Sequence, residues 1–271
     1  MKVQGRNLAG SCSKSARILV SRFTRTILRL VAGLAAGLFV TVATAAYSYQ
    51  AEVVRDGGTI SGIVEYAGAP PSPAPLAITK DRDVCGTSAV YAQSLVVGHD
   101  RGVANAVVIV SDISKGDPMK PEEAVQFDQK GCQYVPHVAV FPAGSTVVIL
   151  NSDGIPHNIH TESTLNPVID MVQPGFKKQI RVTVRTPEVI KVTCDTHNWM
   201  EGWWYVTANP YYAISDRHGH YAIHNVPLGT YALQVWQERL GTESQRVAVR
   251  PGAATVANFT LKPLKTKGRE S

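Results

Sequence analysis

The sequence predicts an all-β protein built as a β-sandwich or Greek-key barrel. Three observations carry this. After residue 58, short runs of Val, Ile, Thr and Tyr alternate with Gly, Pro and Asp punctuation. The turn signals follow one another at the close intervals typical of sandwiches and barrels. No helical period follows the N-terminal segment, apart from a short turn expected near 120–126. The chain has 271 residues, 44% of them hydrophobic, enough for the cores of one or two domains. Charged residues are only 18%, which excludes disorder for the bulk of the chain.

The first element is an export segment. Residues 1–46 hold seven basic residues (Lys2, Arg6, Lys14, Arg17, Arg22, Arg25 and Arg29) and no Asp or Glu. From Leu30 to Ala46 no residue is charged, and Ala43, Ala45 and Ala46 are small enough for cleavage. That is the layout of a secretory signal peptide. The apolar run sits at the short edge for a membrane span, so an uncleaved anchor tethering the chain to a membrane is the alternative. Both readings place residues 47–271 in the periplasm or another extracytoplasmic space. Without those seven, 20 of the 27 basic residues face 21 acidic ones, a net charge of −1. A nucleic-acid-binding surface is excluded for the folded part on that count. The basic residues that stand out afterwards are Lys265, Lys267 and Arg269, in a tail over 263–271.

Strands are expected at 59–66, 104–112, 136–142, 145–151, 178–186 and 188–194, and then at 203–207, 219–224, 230–236, 244–250 and 255–261. The segment 67–77 carries Pro70, Pro71, Pro73 and Pro75, so it is a loop or an extended edge. Of the four cysteines, Cys12 lies in the export segment. Cys85 and Cys132 sit in polar, turn-like surroundings, and in an oxidising compartment they are expected to pair. Two buried free thiols are the other reading. Cys194 is left as the free thiol.

Two segments carry chemistry. One is NSDGIPHNIH, residues 151–160, and the other is CDTHNWM, residues 194–200, each placed just after a strand. Strand parity puts Ile190, Val192 and Cys194 on one apolar face. Cys194, His197 and Met200 share a tight loop, and His157 comes from a separate strand end. A thiolate and two imidazoles with a long, weak thioether suit copper cycling between Cu(I) and Cu(II). Zinc prefers a fourth strong donor. A Cys/His nucleophile pair is the competing reading, but no orienting acid or oxyanion motif accompanies it. His160 is read as a surface neighbour and His137 as a strand-face residue. His218 and His220 flank Gly219 in a hairpin turn. Trp199, Trp203 and Trp204 are read as packing residues.

At these residues the chain resembles the cupredoxins, the blue copper proteins, over about residues 134–207. The resemblance rests on Asn151, Pro156-His157-Asn158 and Cys194-x-x-His197-x-x-Met200, with the short amicyanin-type gap before the Met. It implies one type 1 copper ion held by His157, Cys194, His197 and Met200. It also implies that Asn158 ties the two ligand segments together and supports the thiolate. The implied activity is single-electron transfer with a redox partner protein, through the solvent-side edge of His197, and not enzymatic turnover. Alternatives from other classes are non-redox copper storage or sensing, and a surface module binding carbohydrate or protein.

A second resemblance covers the C-terminal part. Asp216-x-x-Gly219-x-Tyr221 and Asn225-Val226-Pro227-x-Gly229-Thr230-Tyr231 resemble the carboxypeptidase regulatory-like domain, a small transthyretin-like sandwich. Its opening strands match Gly58–Val64 and Ala104–Val108. The resemblance implies that 58–115 and 209–262 are two parts of one sandwich, with a copper domain, 120–208, inserted. Three modules in series is the alternative. Carbohydrate-binding modules share that fold class, but no binding residue carries over.

Overall fold

The computed structural model describes residues 49–251 and 254–264. The export segment 1–46 and the end of the basic tail, 265–271, lie outside the described residues. The chain opens with β1 (Gln50–Ala51), β2 (Gly58–Tyr66) and α1, a single turn at Arg82–Cys85. Then come β3 (Val107–Val110), β4 (Lys115–Gly116), β5 (Val125–Lys130), β6 (Gln133–Val135), β7 (Val138–Pro142) and β8 (Thr146–Asn151). They are followed by β9 (His157–Glu162), β10 (Asp170–Gln173), β11 (Gln179–Thr183), β12 (Glu188–Thr193) and β13 (Glu201–Thr207). The last strands are β14 (Tyr212–Ile214), β15 (His220–Val226), β16 (Gly229–Gln237), β17 (Gly241–Val249), β18 (Ala254–Val256) and β19 (Phe259–Leu261). Among the described residues no helix is long and apolar enough to cross a membrane. The protein is all-β, with several sheets.

Strands β5 to β13 make two sheets of their own, in the orders β10-β9-β12-β13-β7 and β11-β8-β5-β6. Alternate residues point inward and fill one core with Phe127, Tyr134, Phe141, Ile149, Ile159 and Ile190 around Trp204. Phe127 meets the Trp204 ring edge-on at 5.5 Å, a geometry worth about 0.5–1.5 kcal/mol beyond area burial. The buried Tyr134 hydroxyl bonds the carbonyls of Asn158 (2.7 Å) and Thr193 (2.9 Å), so it ties β9 to the end of β12.

Of the other strands, β1 and β4 pair with each other, and the rest form a second sandwich. Its sheets run β14-β3-β16-β17 and β15-β2-β18, and β19 also pairs with β2. Strands β2 and β3 come from before the first sandwich, yet each is an interior strand among partners from 212–261. Ile60, Val64, Val108, Leu233, Val235 and Phe259 share its core. Where the sandwiches meet, Val107, Ile109, Val138 and Tyr205 cluster with Trp203 and Trp236. There Trp203 Nε1 donates to Glu238 (2.7 Å), whose other oxygen pairs with His137, and both members of that pair are buried.

Some elements differ from expectation. The helical turn lies at Arg82–Cys85, and the segment expected to turn near 120–126 runs into β5 instead. His157 opens a strand, β9, that was not among the expected strands. In HNIHTE only Ile159 is apolar, and its strand character comes from pairing with β10 and β12 rather than from propensity. The connection 167–175 likewise contains the edge strand β10.

Glu188, the first residue of β12, is a stability determinant. Its carboxylate accepts hydrogen bonds from Ser163 Oγ (2.6 Å), Thr164 Oγ1 (2.9 Å), Leu165 N (3.1 Å) and Asn166 Nδ2 (3.0 Å). Burial pushes the group up, but these donors outweigh it and hold it near 2, below its ordinary 4.5. Its contribution is therefore complete above about pH 4.5 and is lost as pH falls towards 2. Glu188→Gln should cost about 1–2 kcal/mol at neutral pH after allowing for solvent screening. Urea melts at pH 7 and pH 3 should show that deficit shrinking at the lower pH. An equal deficit at both would contradict the assignment.

Candidate metal centre

The site is built at one end of the first sandwich. His157 is the first residue of β9 and Cys194 follows the last residue of β12. His197 and Met200 lie on the loop into β13, which is closed by Cys194 N to Met200 O (3.3 Å) and Met200 N to His197 O (2.9 Å). Ile190, Val192 and Cys194 are all buried, as strand parity requires.

The imidazoles of His157 and His197 bring their Nδ1 atoms to 3.0 Å, and Cys194 Sγ lies 3.8 Å from His197 Nδ1. One donor atom from each of the three falls within 4.8 Å of the others. Donors bound at about 2.0–2.3 Å around one ion stand roughly 3–4 Å apart, so these spacings fit a shared metal. His157 and His197 are 0% exposed, Cys194 2% and Met200 1%. Met200 is buried in the same core cluster as Cys194.

Both imidazoles turn their outer nitrogens to carboxylates. His157 Nε2 meets Asp153 Oδ2 at 2.9 Å, and His197 Nε2 meets Asp81 Oδ2 at 2.8 Å. Such partners fix which ring nitrogen faces inward and raise its basicity. Asp153 is held in turn by the backbone N–H groups of Gly131 (2.6 Å) and Cys132 (2.9 Å). Burial alone would lower His157, but Asp153 and the Cys194 thiolate reverse this and push it up to about 9. Burial alone would raise Cys194, but the His157 imidazole and the surrounding N–H groups hold it below the usual thiol range. Burial keeps His197 below its ordinary value, against the pull of Asp81. The thiol is thus biased towards the thiolate, the form that binds metal.

Asn158 sits between the ligand segments. Its backbone N–H points at Cys194 Sγ (3.3 Å), its Nδ2 donates to Asp170 (2.9 Å) and its Oδ1 accepts from Asp195 N (3.5 Å). Cys85 and Cys132 form a disulfide with Cα atoms 5.3 Å apart, and Cys194 is a free, buried thiol. His160 is partly exposed and pairs with Asp195 at 3.1 Å. His218 pairs with Asp100 on the surface. Trp204 is core and Trp199 lies 5.1 Å from the His197 ring.

One expectation is corrected. The outer edge of His197 does not face solvent: the ring is buried, its Nε2 meets the Asp81 carboxylate and the Trp199 ring lies beside it. Sequence reading missed both carboxylates. Asp153 was within reach, four residues before His157 in the same motif. Asp81 lies 116 residues from His197, and no local pattern links them.

Fold and site together define an all-β protein with a buried His-Cys-His cluster at strand ends. No protein-family model and no curated protein sequence matches the chain. Among solved structures, matches are cupredoxin proteins over about a third of the chain. The copper-containing nitrite reductase NirK from Thermus scotoductus SA-01 aligns at 24% identity over 35% of this chain, with TM-score 0.29, and the chain spans only 24% of that protein. A purple cupredoxin from Nitrosopumilus maritimus aligns at 23% identity over 31% of this chain and 99% of its own, with TM-score 0.27. A Cu(I) amicyanin variant aligns at 20% identity over 31% and 82%, with TM-score 0.28.

Proposed function

We propose that this chain is a type 1 copper protein of the periplasm or another extracytoplasmic space, passing single electrons between redox partner proteins. His157, Cys194 and His197 are the strong ligands and Met200 the weak axial one. The observation that supports this most is the convergence of two imidazole nitrogens and one depressed thiol in a site closed to solvent. A soft thiolate, two imidazoles and a nearby thioether suit copper better than zinc or a hard cation. When bound, copper supplies the one-electron Cu(I)/Cu(II) couple.

The chain's own residues prepare that exchange. Asp153 and Asp81 fix the rings, Asn158 N–H supports the sulfur, and Tyr134 locks the two ligand segments together. A donor set held this way rearranges little between oxidation states. His157, Cys194, His197 and Met200 are all buried, so the donor set is covered by protein. That favours a carrier over an enzyme, and a closed site argues against handing the metal on. Voltammetry of the copper-loaded protein should give one reversible one-electron wave, and nitrite should produce no catalytic current. Irreversible copper loss on reduction, or a nitrite-dependent current, would contradict the reading.

A further inference from the structure

Asp81 does not belong to either sheet of the first sandwich. It caps α1, yet its carboxylate makes no hydrogen bond to the N–H groups of that turn. It points instead at His197 Nε2, 2.8 Å away. Its backbone is left-handed, with φ 48° and ψ 45°, a conformation Asp enters more readily than most non-glycine residues, and its surroundings hold it there. Those surroundings are specific. Val84 N and Cys85 N bond back to the Asp81 carbonyl at 3.0 and 2.8 Å, and Ile78 and Val84 pack on the core that contains Cys194. Cys85 is bonded to Cys132.

Cys132 is the common anchor. Its N–H holds Asp153 behind His157, its carbonyl accepts from Trp199 Nε1 (3.2 Å) beside His197, and its sulfur fastens the segment that carries Asp81. One turn of the β5–β6 hairpin therefore supports both carboxylates.

We propose that Asp81 is a positioning residue for the metal centre: held over it by the Cys85–Cys132 bond, it fixes His197 through Nε2 and closes that side to solvent and outside ligands. This rests on the copper reading for the centre's identity, but the closure itself is a property of the metal-free chain. The Asp81 side chain is 38% exposed, while His197 beneath it is fully covered. The carboxylate, not the imidazole edge, is what a partner meets on this side.

The test uses the full chain with the disulfide intact. Metal-free protein is treated with iodoacetamide, and alkylation at Cys194 is followed by peptide mass spectrometry. Asp81→Ala should speed alkylation by about tenfold or more, the effect of losing one charge-assisted hydrogen bond on a local opening equilibrium. Asp81→Asn keeps an acceptor for the Nε2 proton but loses the charge, so it should fall between wild type and Asp81→Ala. In copper-loaded protein, Asp81→Ala should lose metal to a chelator about ten- to a hundredfold faster, with Asn again in between. Equal alkylation rates in wild type and Asp81→Ala would overturn the proposal, as would an Asn variant as reactive as Ala. Failure to bind copper at all would sink the copper reading, while the alkylation comparison would still decide the role of Asp81.

Discussion

Cys194→Ala should abolish copper binding and the intense visible colour that a copper–thiolate bond produces. The thiolate is the soft, charged donor of the set, and the remaining two imidazoles and thioether have no anion to complete them. The affinity loss should exceed the roughly ten- to hundredfold typical of removing an outer hydrogen-bond partner. The fold should survive, because Cys194 makes no disulfide and Ala is a smaller apolar residue at the same buried position. Met200→Leu should behave differently, keeping the copper and shifting the potential, since the weak ligand tunes the site more than it holds it. His160→Ala should change neither, because that ring lies on the surface against Asp195. Copper stoichiometry and colour unchanged in Cys194→Ala would overturn the ligand assignment.

A fragment of residues 209–262 should be unfolded. In the sheets it contributes to, β3 lies between β14 and β16, and β2 lies between β15 and β18. Without those two strands the fragment retains the β16–β17 hairpin and detached pieces. A lone hairpin is marginal in water. The apolar faces carrying Leu233, Val235 and Phe259 would then lose Ile60, Val64 and Val108. A fragment of residues 120–208 keeps β5 to β13 and almost all of its own core, so it should melt cooperatively and still take up copper. It lacks Asp81 and Cys85, so its copper should be held more weakly. It also exposes Val138, Trp203 and Tyr205, which the second sandwich covers in the full chain. A cooperative melt for 209–262 alone would mean that the modules stand in series.

Much of this was legible from local pattern. Apolar alternation exposed β2, β12 and β16, because one buried face imposes a period of two, while β8 showed as a continuous apolar run. Parity on β12 correctly turned Cys194 inward. The Cys-x-x-His-x-x-Met spacing and the upstream Pro-His-Asn named the residues that the structure brings together or buries beside one another. What escaped was set by tertiary pairing. β9 and β10 are polar or short, and become strands only by joining a sheet. The cover over His197 escaped for the same reason. A Pro-rich stretch followed by Lys80-Asp81-Arg82 looks like a surface loop, and only folding lays it across the site.

Copper ligation is read out by a competition titration of purified, metal-free protein with Cu(II), followed by absorbance and repeated across pH. The protein should take up one copper per chain, with an intense charge-transfer band that saturates at that ratio and an affinity that rises with pH. The rise follows because His157, held up to about 9 in the metal-free chain, must lose its proton to bind. A chain that takes up no copper, or binds it without that band and without the pH dependence, would contradict the copper reading.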